Sequence, residues 1–210
     1  MTTADLLSLL QGAAFTVFFS VAAVLIGVPA GLGLALIRWG RVPGLAPLTA
    51  LLVSILRAAP AVTLALLIFF ALPRTGLMLD PVPAGIATLT LSTAAFNCEI
   101  WRAALMALPA DQLDAARAMG LRRGTRFRRI VLPQVARAAL PALVNEVTLL
   151  VKVSPAVAVL GVVDITRAAV RISAQTYEPL PPFMAALVIY SLIVFLFVKL
   201  QRAVERRMAT

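Results

Sequence analysis

The sequence contains no histidine and a single cysteine, Cys98, set in an apolar run. Disulfide frameworks and the usual zinc sites are therefore excluded. No G-x-x-x-x-G-K-[ST] phosphate loop occurs, so ATP hydrolysis is not expected of this chain. No G-x-S-x-G occurs either, and Lys152 and Ser154 lie two apart, a spacing that does not face two side chains toward each other on a helix. An intramembrane enzyme is thus a poor reading. Charge is scarce, at 13% against about 25% in soluble domains. Internal repeats, low-complexity tracts and domain linkers are also missing.

What remains is hydrocarbon. Hydrophobic residues make up 61% of the chain, against roughly 45–50% in soluble proteins, which identifies an integral membrane protein. A crossing needs about 20 apolar residues, so 210 residues hold four to six spans and leave no room for a soluble domain. Apolar runs at about 9–37, 47–72, 84–108, 138–163 and 182–200 predict an all-α protein with five crossings, one domain over 1–210 and a core over about 9–205. The first run holds Gly27, Pro29, Gly31 and Gly33, which favours close helix packing. Residues 1–8 lack a basic n-region and that run is too long for a signal peptide, so it is expected to stay as an anchor.

A net charge of +10 invites a nucleic-acid reading, but the arginines are scattered through short loops between spans rather than gathered on a folded face. They report orientation instead. The loops 38–46, 109–137 and 199–210 hold thirteen Lys and Arg, whereas the opposite side holds only Arg74, Arg167 and Arg171. Basic loops are retained in the cytoplasm, so the N-terminus is expected outside and the C-terminus inside.

The largest polar insert is residues 108–133, LPADQLDAARAMGLRRGTRFRRIVLP. Residues 110–119 are strong helix formers followed by Gly120, a helix stop, with Asp111 as N-cap or first-turn acid and Arg117 in the last turn. This predicts a short helix at the cytoplasmic surface. By physics alone, an inert amphipathic connector with its arginines on lipid phosphates fits equally well.

The spacing adds a second reading. Asp114, Ala115, Ala116, Gly120, Ile130, Leu132 and Pro133 form D-A-A-x-x-x-G-x9-I-x-L-P, which closely resembles the EAA motif of permease subunits of ABC importers, with Asp for the usual Glu. The resemblance points to the polar amino acid uptake branch of histidine, glutamine and arginine type. Residues 56–60 look like its R-G-T-P segment, 95–102 like its A-Y-x-A-E-I-x-R segment, and 132–134 like its L-P-Q. Asn145 and Lys152 keep its N-x6-K spacing, Gly161 stands where its I-G-V falls, and 200–207, with Glu205 beside Arg206, resembles its ending. Val153 to Ala156 departs from the branch's D-T-S-L. The resemblance implies the MetI-like fold of type I ABC importers. It also implies a coupling loop at 109–133 that uses Asp111, Asp114, Ala115, Ala116 and Gly120 to dock on a cytoplasmic ATPase carrying the ATP and magnesium, with no cofactor on this chain. A second permease subunit, of the same or a homologous chain, and a periplasmic or surface-tethered binding protein are implied as partners, in the bacterial cytoplasmic membrane.

Ionisable groups inside spans are costly, about 2.5–3.5 kcal/mol on insertion scales, so each one needs a partner or a function. Glu99 and Arg102 lie three apart on one helical face, as an ion pair or as substrate contacts. Asn145, Thr148 and Lys152 fall at i, i+3 and i+7, a stripe that serves either as an interhelical hydrogen-bond seam or as a solute lining. Arg57 precedes Pro60, which interrupts the second span, and Pro155 stands in the fourth; broken helices often border solute sites. The candidate substrate pathway is therefore Arg57, Asn145, Thr148, Lys152 and Ser154. An ion-gradient-driven transporter or channel is the alternative, with Glu99, Glu146 and Asp164 as its only available relay acids.

Overall fold

A computed structural model describes the backbone of residues 2–209 and the side chains of residues 2–200, 202 and 203. The side chains of Glu205, Arg206 and Arg207 lie outside the described residues. Among the described residues every regular element is helical.

Helix α1 (Thr3–Trp39) opens on a capping box, in which Thr2 Oγ1 accepts from the Asp5 N–H and the Asp5 carboxylate accepts from the Thr2 N–H. It runs for 37 residues, about 55 Å at 1.5 Å per residue, well beyond a hydrocarbon core about 30 Å thick. The helix passes the expected stop at residue 37 and carries Arg38 with it, so this arginine belongs to a helix end rather than a loop. Along its length α1 packs on α4 (Pro81–Met106), the central helix. A Cβ on Gly27 would stand 2.8 Å from the Thr93 side chain, and one on Gly31 would stand 2.9 Å from the Ala94 carbonyl oxygen. Gly27 and Gly31 are thus the imprint of α4 lying against the first span, whereas Gly33 meets nothing within 4 Å.

The second span departs from the expected single crossing. It consists of α2 (Leu45–Ala58) and α3 (Ala61–Ala71), and the stretch Ala61–Thr75 is bent by 111° from the course of Leu45–Ala58. Pro60 is the cause. Its ring disfavours helix at Ala59, whose φ and ψ are −71° and 127°, and its missing N–H ends the hydrogen-bond ladder. Each half, about 21 Å and about 16 Å long, is shorter than the hydrocarbon core.

Past the short helix α5 (Ala110–Ala118), the fourth span starts much earlier than residue 138. α6 (Arg123–Arg126), a wide π turn (Phe127–Val131), α7 (Leu132–Val153) and a 3₁₀ segment (Ser154–Leu160) run on as one helical stretch from Arg123 to Leu160. The arginine run is therefore largely the first turns of a long helix, not a loop. The expected loop at 164–182 holds a further helix, α8 (Ile165–Thr176), and α9 (Leu180–Ala209) supplies the last span over Leu180–Leu200.

Among the described residues, Thr3–Trp39, Arg123–Leu160 and Leu180–Leu200 are each long and apolar enough to cross a membrane, and the bent pair adds a fourth crossing if it counts as one span. α4, the expected third span, is long enough at 26 residues but carries Thr88, Thr90, Ser92, Thr93, Asn97 and Glu99. Those polar groups are tolerable because α1, α2, α3 and α7 enclose it. The core follows the same plan: one apolar cluster joins α2, α3, α4 and α7 around Trp101, and a second joins the start of α1 to α8 and α9.

Candidate functional site

At the expected cytoplasmic end, α5 is held between Pro109 and Gly120. Gly120 sits in the left-handed region at φ +73°, where its N–H donates to the Arg117 carbonyl at 2.9 Å and the Leu121 N–H donates to the Ala116 carbonyl at 3.2 Å. Nothing lies within 4 Å of a Cβ built there. Within this chain, glycine is required by the backbone turn, not by low bulk. Asp111 is a first-turn acid; the N-cap is Pro109, which makes no side-chain cap bond. Asp114 accepts from Arg117 at 2.7 Å, and Asp111, Asp114 and Ala115 are exposed. Ala116 is only 3% exposed and packs inward, so its small size serves this chain's own core rather than an outer contact.

Glu99 ties α1 to α4. Its carboxylate accepts from Arg102 at 2.9 Å and is also bonded to Arg38, the partner concealed by assigning residue 38 to a loop. Beside it the Trp101 indole N–H donates to the Val28 carbonyl at 3.1 Å.

The α2–α3 break opens a cavity of about 280 Å³ against α4 and α7. Arg57, Ser92, Phe96 and Glu146 line it, with the Arg57 guanidinium carbon 5.3 Å from the Phe96 ring centroid, a cation–π contact. Glu146 makes no ion pair among the described residues. A half-buried carboxylate and a guanidinium thus share one small cavity. Sequence reasoning set Glu146 among relay acids and missed this role. The available signal was the spacing of Glu146, Leu149, Leu150 and Val153 at i, i+3, i+4 and i+7, all of which line the cavity.

The rest of the expected pathway is divided. Asn145 and Lys152 are exposed, while Thr148 is buried and donates to the Val144 carbonyl of its own helix at 3.3 Å. Buried Ser154 likewise donates to the Val151 carbonyl at 2.8 Å. Lys152 lines a separate, mostly apolar cavity of about 660 Å³ between α7 and α9, with Pro155, Tyr190 and Phe195. Arg57 is therefore brought together with Glu146 and not with Lys152.

Asp164 is fully buried between the 3₁₀ segment and α8. It caps α8 by accepting from the Arg167 N–H at 2.7 Å and accepts from the Tyr190 hydroxyl at 3.2 Å. Burial pushes its carboxyl above the ordinary carboxylate value against the pull of those bonds. Glu99 is held by two arginines and Asp164 is a helix cap, and no hydrogen bond among the described residues joins either to Glu146. Among the described residues these acids form no hydrogen-bonded relay. Among the described residues no cluster of three or more metal-binding side chains occurs.

The profile of the binding-protein-dependent transport system inner membrane components matches residues 27–210. The chain is 32% identical over 201 residues to the arginine transport system permease protein ArtQ of Bacillus subtilis (strain 168), covering 95% of this chain and 92% of that protein. It is 30% identical to the octopine transport system permease protein OccM of Rhizobium radiobacter, over 94% of this chain and 84% of that one. Among solved structures, an amino acid ABC transporter crystallised with histidines shares 30% identity and superposes with a TM-score of 0.87, covering 99% of this chain and 100% of its own. The inward-facing MetNI methionine ABC transporter, at 21% identity and a TM-score of 0.85 over 99% of both chains, shares the fold.

Proposed function

Because the chain belongs to the family of binding-protein-dependent transport system inner membrane components, we propose that it is the membrane-spanning subunit of an ATP-driven importer for a polar amino acid or a close derivative. The proposed location is the bacterial cytoplasmic membrane, with α5 on the cytoplasmic side. The names of the relatives support the substrate class.

The observation that carries the reading is the mounting of α5. An exposed face of α5, Asp111 and Asp114 with Ala115, lies in the chain between α4 and the long Arg123–Leu160 helix, two of the elements that wall the Arg57–Glu146 cavity. A separate ATPase that grips α5 and closes on ATP would displace both walls together. Differential docking in the two states supplies the free energy of switching. In the cavity, Arg57 suits an α-carboxylate and Glu146 an α-ammonium or cationic side chain. Two such chains, or this chain and a homologue, pair around the pathway, and a binding protein delivers solute to the outer face.

Crosslinking tests the arrangement. Cysteine at position 111 should crosslink to an ATPase subunit in intact vesicles, with yield that changes on adding ATP. Uptake that continues at its usual rate after ATP depletion would refute the reading.

A further inference from the structure

A cavity of about 680 Å³ opens between the end of α1 and the arginine-bearing turns, and its walls are of two kinds. Trp39, Leu113, Phe127 and Val131 are apolar, whereas Arg117, Arg123 and Arg126 bring three cationic side chains to the same space. The size suits a small ligand, for which pockets run roughly 300–1,000 Å³. Arg123 and Arg126 have no acidic partner among the described residues, and Arg117 meets only the exposed Asp114. Trp39 ends a membrane-crossing helix, the level where tryptophan settles among lipid headgroups. Arg123 and Arg126 belong to the first turns of another such helix, at the same level. An isolated carboxylate or inorganic anion could pair with the arginines but has no use for the apolar wall. A phospholipid uses both, phosphate on the guanidinium groups and glycerol and upper acyl chain on Trp39 and Leu113.

We propose that this cavity is a binding site for the headgroup of an anionic phospholipid, which braces the coupling loop against the end of α1. The proposal rests on the membrane placement above but not on the substrate or the ATPase.

The test places the full-length chain in phosphatidylcholine vesicles containing a small fraction of lipid with bromine high on the acyl chain, as phosphatidylglycerol or as phosphatidylcholine. Bromine quenches nearby tryptophan. A Trp39→Phe sample supplies the signal of Trp101, the other tryptophan, for subtraction. Arginine near a membrane surface gains about 1 kcal/mol from anionic lipid, about a fivefold preference. Brominated phosphatidylglycerol should therefore quench Trp39 at least about fivefold more effectively than brominated phosphatidylcholine. The preference should vanish in Arg117→Gln/Arg123→Gln/Arg126→Gln and survive in Arg128→Gln/Arg129→Gln, which removes charge of the same kind outside this cavity. If the triple variant does not fold, Arg123→Gln alone should lower the preference. Equal quenching by the two lipids overturns the proposal. So does loss of the preference in the Arg128/Arg129 variant, which means diffuse charge, in millimolar inorganic phosphate, which means a free anion site, or on adding the ATPase, which means a protein occupant. Quenching by brominated phosphatidylcholine reports membrane placement separately, so failure of the lipid site and failure of the membrane reading are distinguishable.

Discussion

Substitution of Gly120 separates two reasons for a glycine beside the proposed docking helix α5. Its φ of +73° lies where a side chain costs about 1–2 kcal/mol, and Asn less, because a short amide hydrogen-bonds locally there. The surroundings are empty within 4 Å of a built Cβ, so volume adds nothing inside this chain. If the turn is what matters, coupling should fall in the order Gly, Asn, Ala, Val, with β-branched Val worst. A cost of 1.4 kcal/mol is a factor of ten, so Ala should lower the competent fraction of the loop by about five- to thirtyfold and Asn by severalfold at most. The assay is ATP hydrolysis by the reconstituted transporter, stimulated by loaded binding protein, with membrane insertion checked for each variant. A contact surface intolerant of bulk gives a different order, with Ala near the parent and Asn as poor as Val. That outcome would refute the backbone argument.

Other substitutions probe the remaining sites. Glu99→Gln leaves Arg38 and Arg102 without their shared carboxylate; a fully buried pair broken this way costs about 3–5 kcal/mol, and partial exposure here lowers that to about 1–3, read as a reduced thermal midpoint in detergent. If the cavity is the proposed solute site, Arg57→Gln and Glu146→Gln should each lower uptake at least about tenfold, because each removes a charge from it, and the double variant should be less than additive. Unchanged uptake in both removes the cavity from the pathway. Asp164 has a raised folded-state pKa, so the folded state binds more protons than the unfolded chain between the two values, and its ionisation penalty is relieved as pH falls through that window. The parent should therefore gain thermal stability relative to Asp164→Asn on acidification through the carboxylate range, and parallel curves would contradict the assignment.

Much of this was legible from residue types. Composition alone marks a membrane protein, and Gly120 ends α5 where a left-handed residue was needed. Pro60 announced an interruption in the second span but not its 111° angle, which is set by what packs on either half. Hydropathy measures transfer into lipid, and so it could not see that α4 keeps its threonines and Asn97 because protein surrounds it. The arginine run read as loop because charge was equated with water. Arginine is a good helix former with a stem long enough to reach the interface, so the helix simply continued. Glu146 was visible as an acid in an apolar run, but that it shares a cavity with Arg57 across the break needed tertiary structure. α8 was hidden in a loop punctuated by polar residues, where no apolar run marks a short helix.

The seam between α1 and α4 limits how this protein can move. Backbones meshed at Gly27 and Gly31, and riveted at one end by Glu99 between Arg38 and Arg102, cannot slide along each other without a steric penalty at those glycines. The pair behaves as a single girder. Deformation is then left to the elbow at Pro60 and to the thinly packed α9, so under the proposed coupling a pull on α5 should emerge as a swing of the α2–α3 joint about a stiff spine.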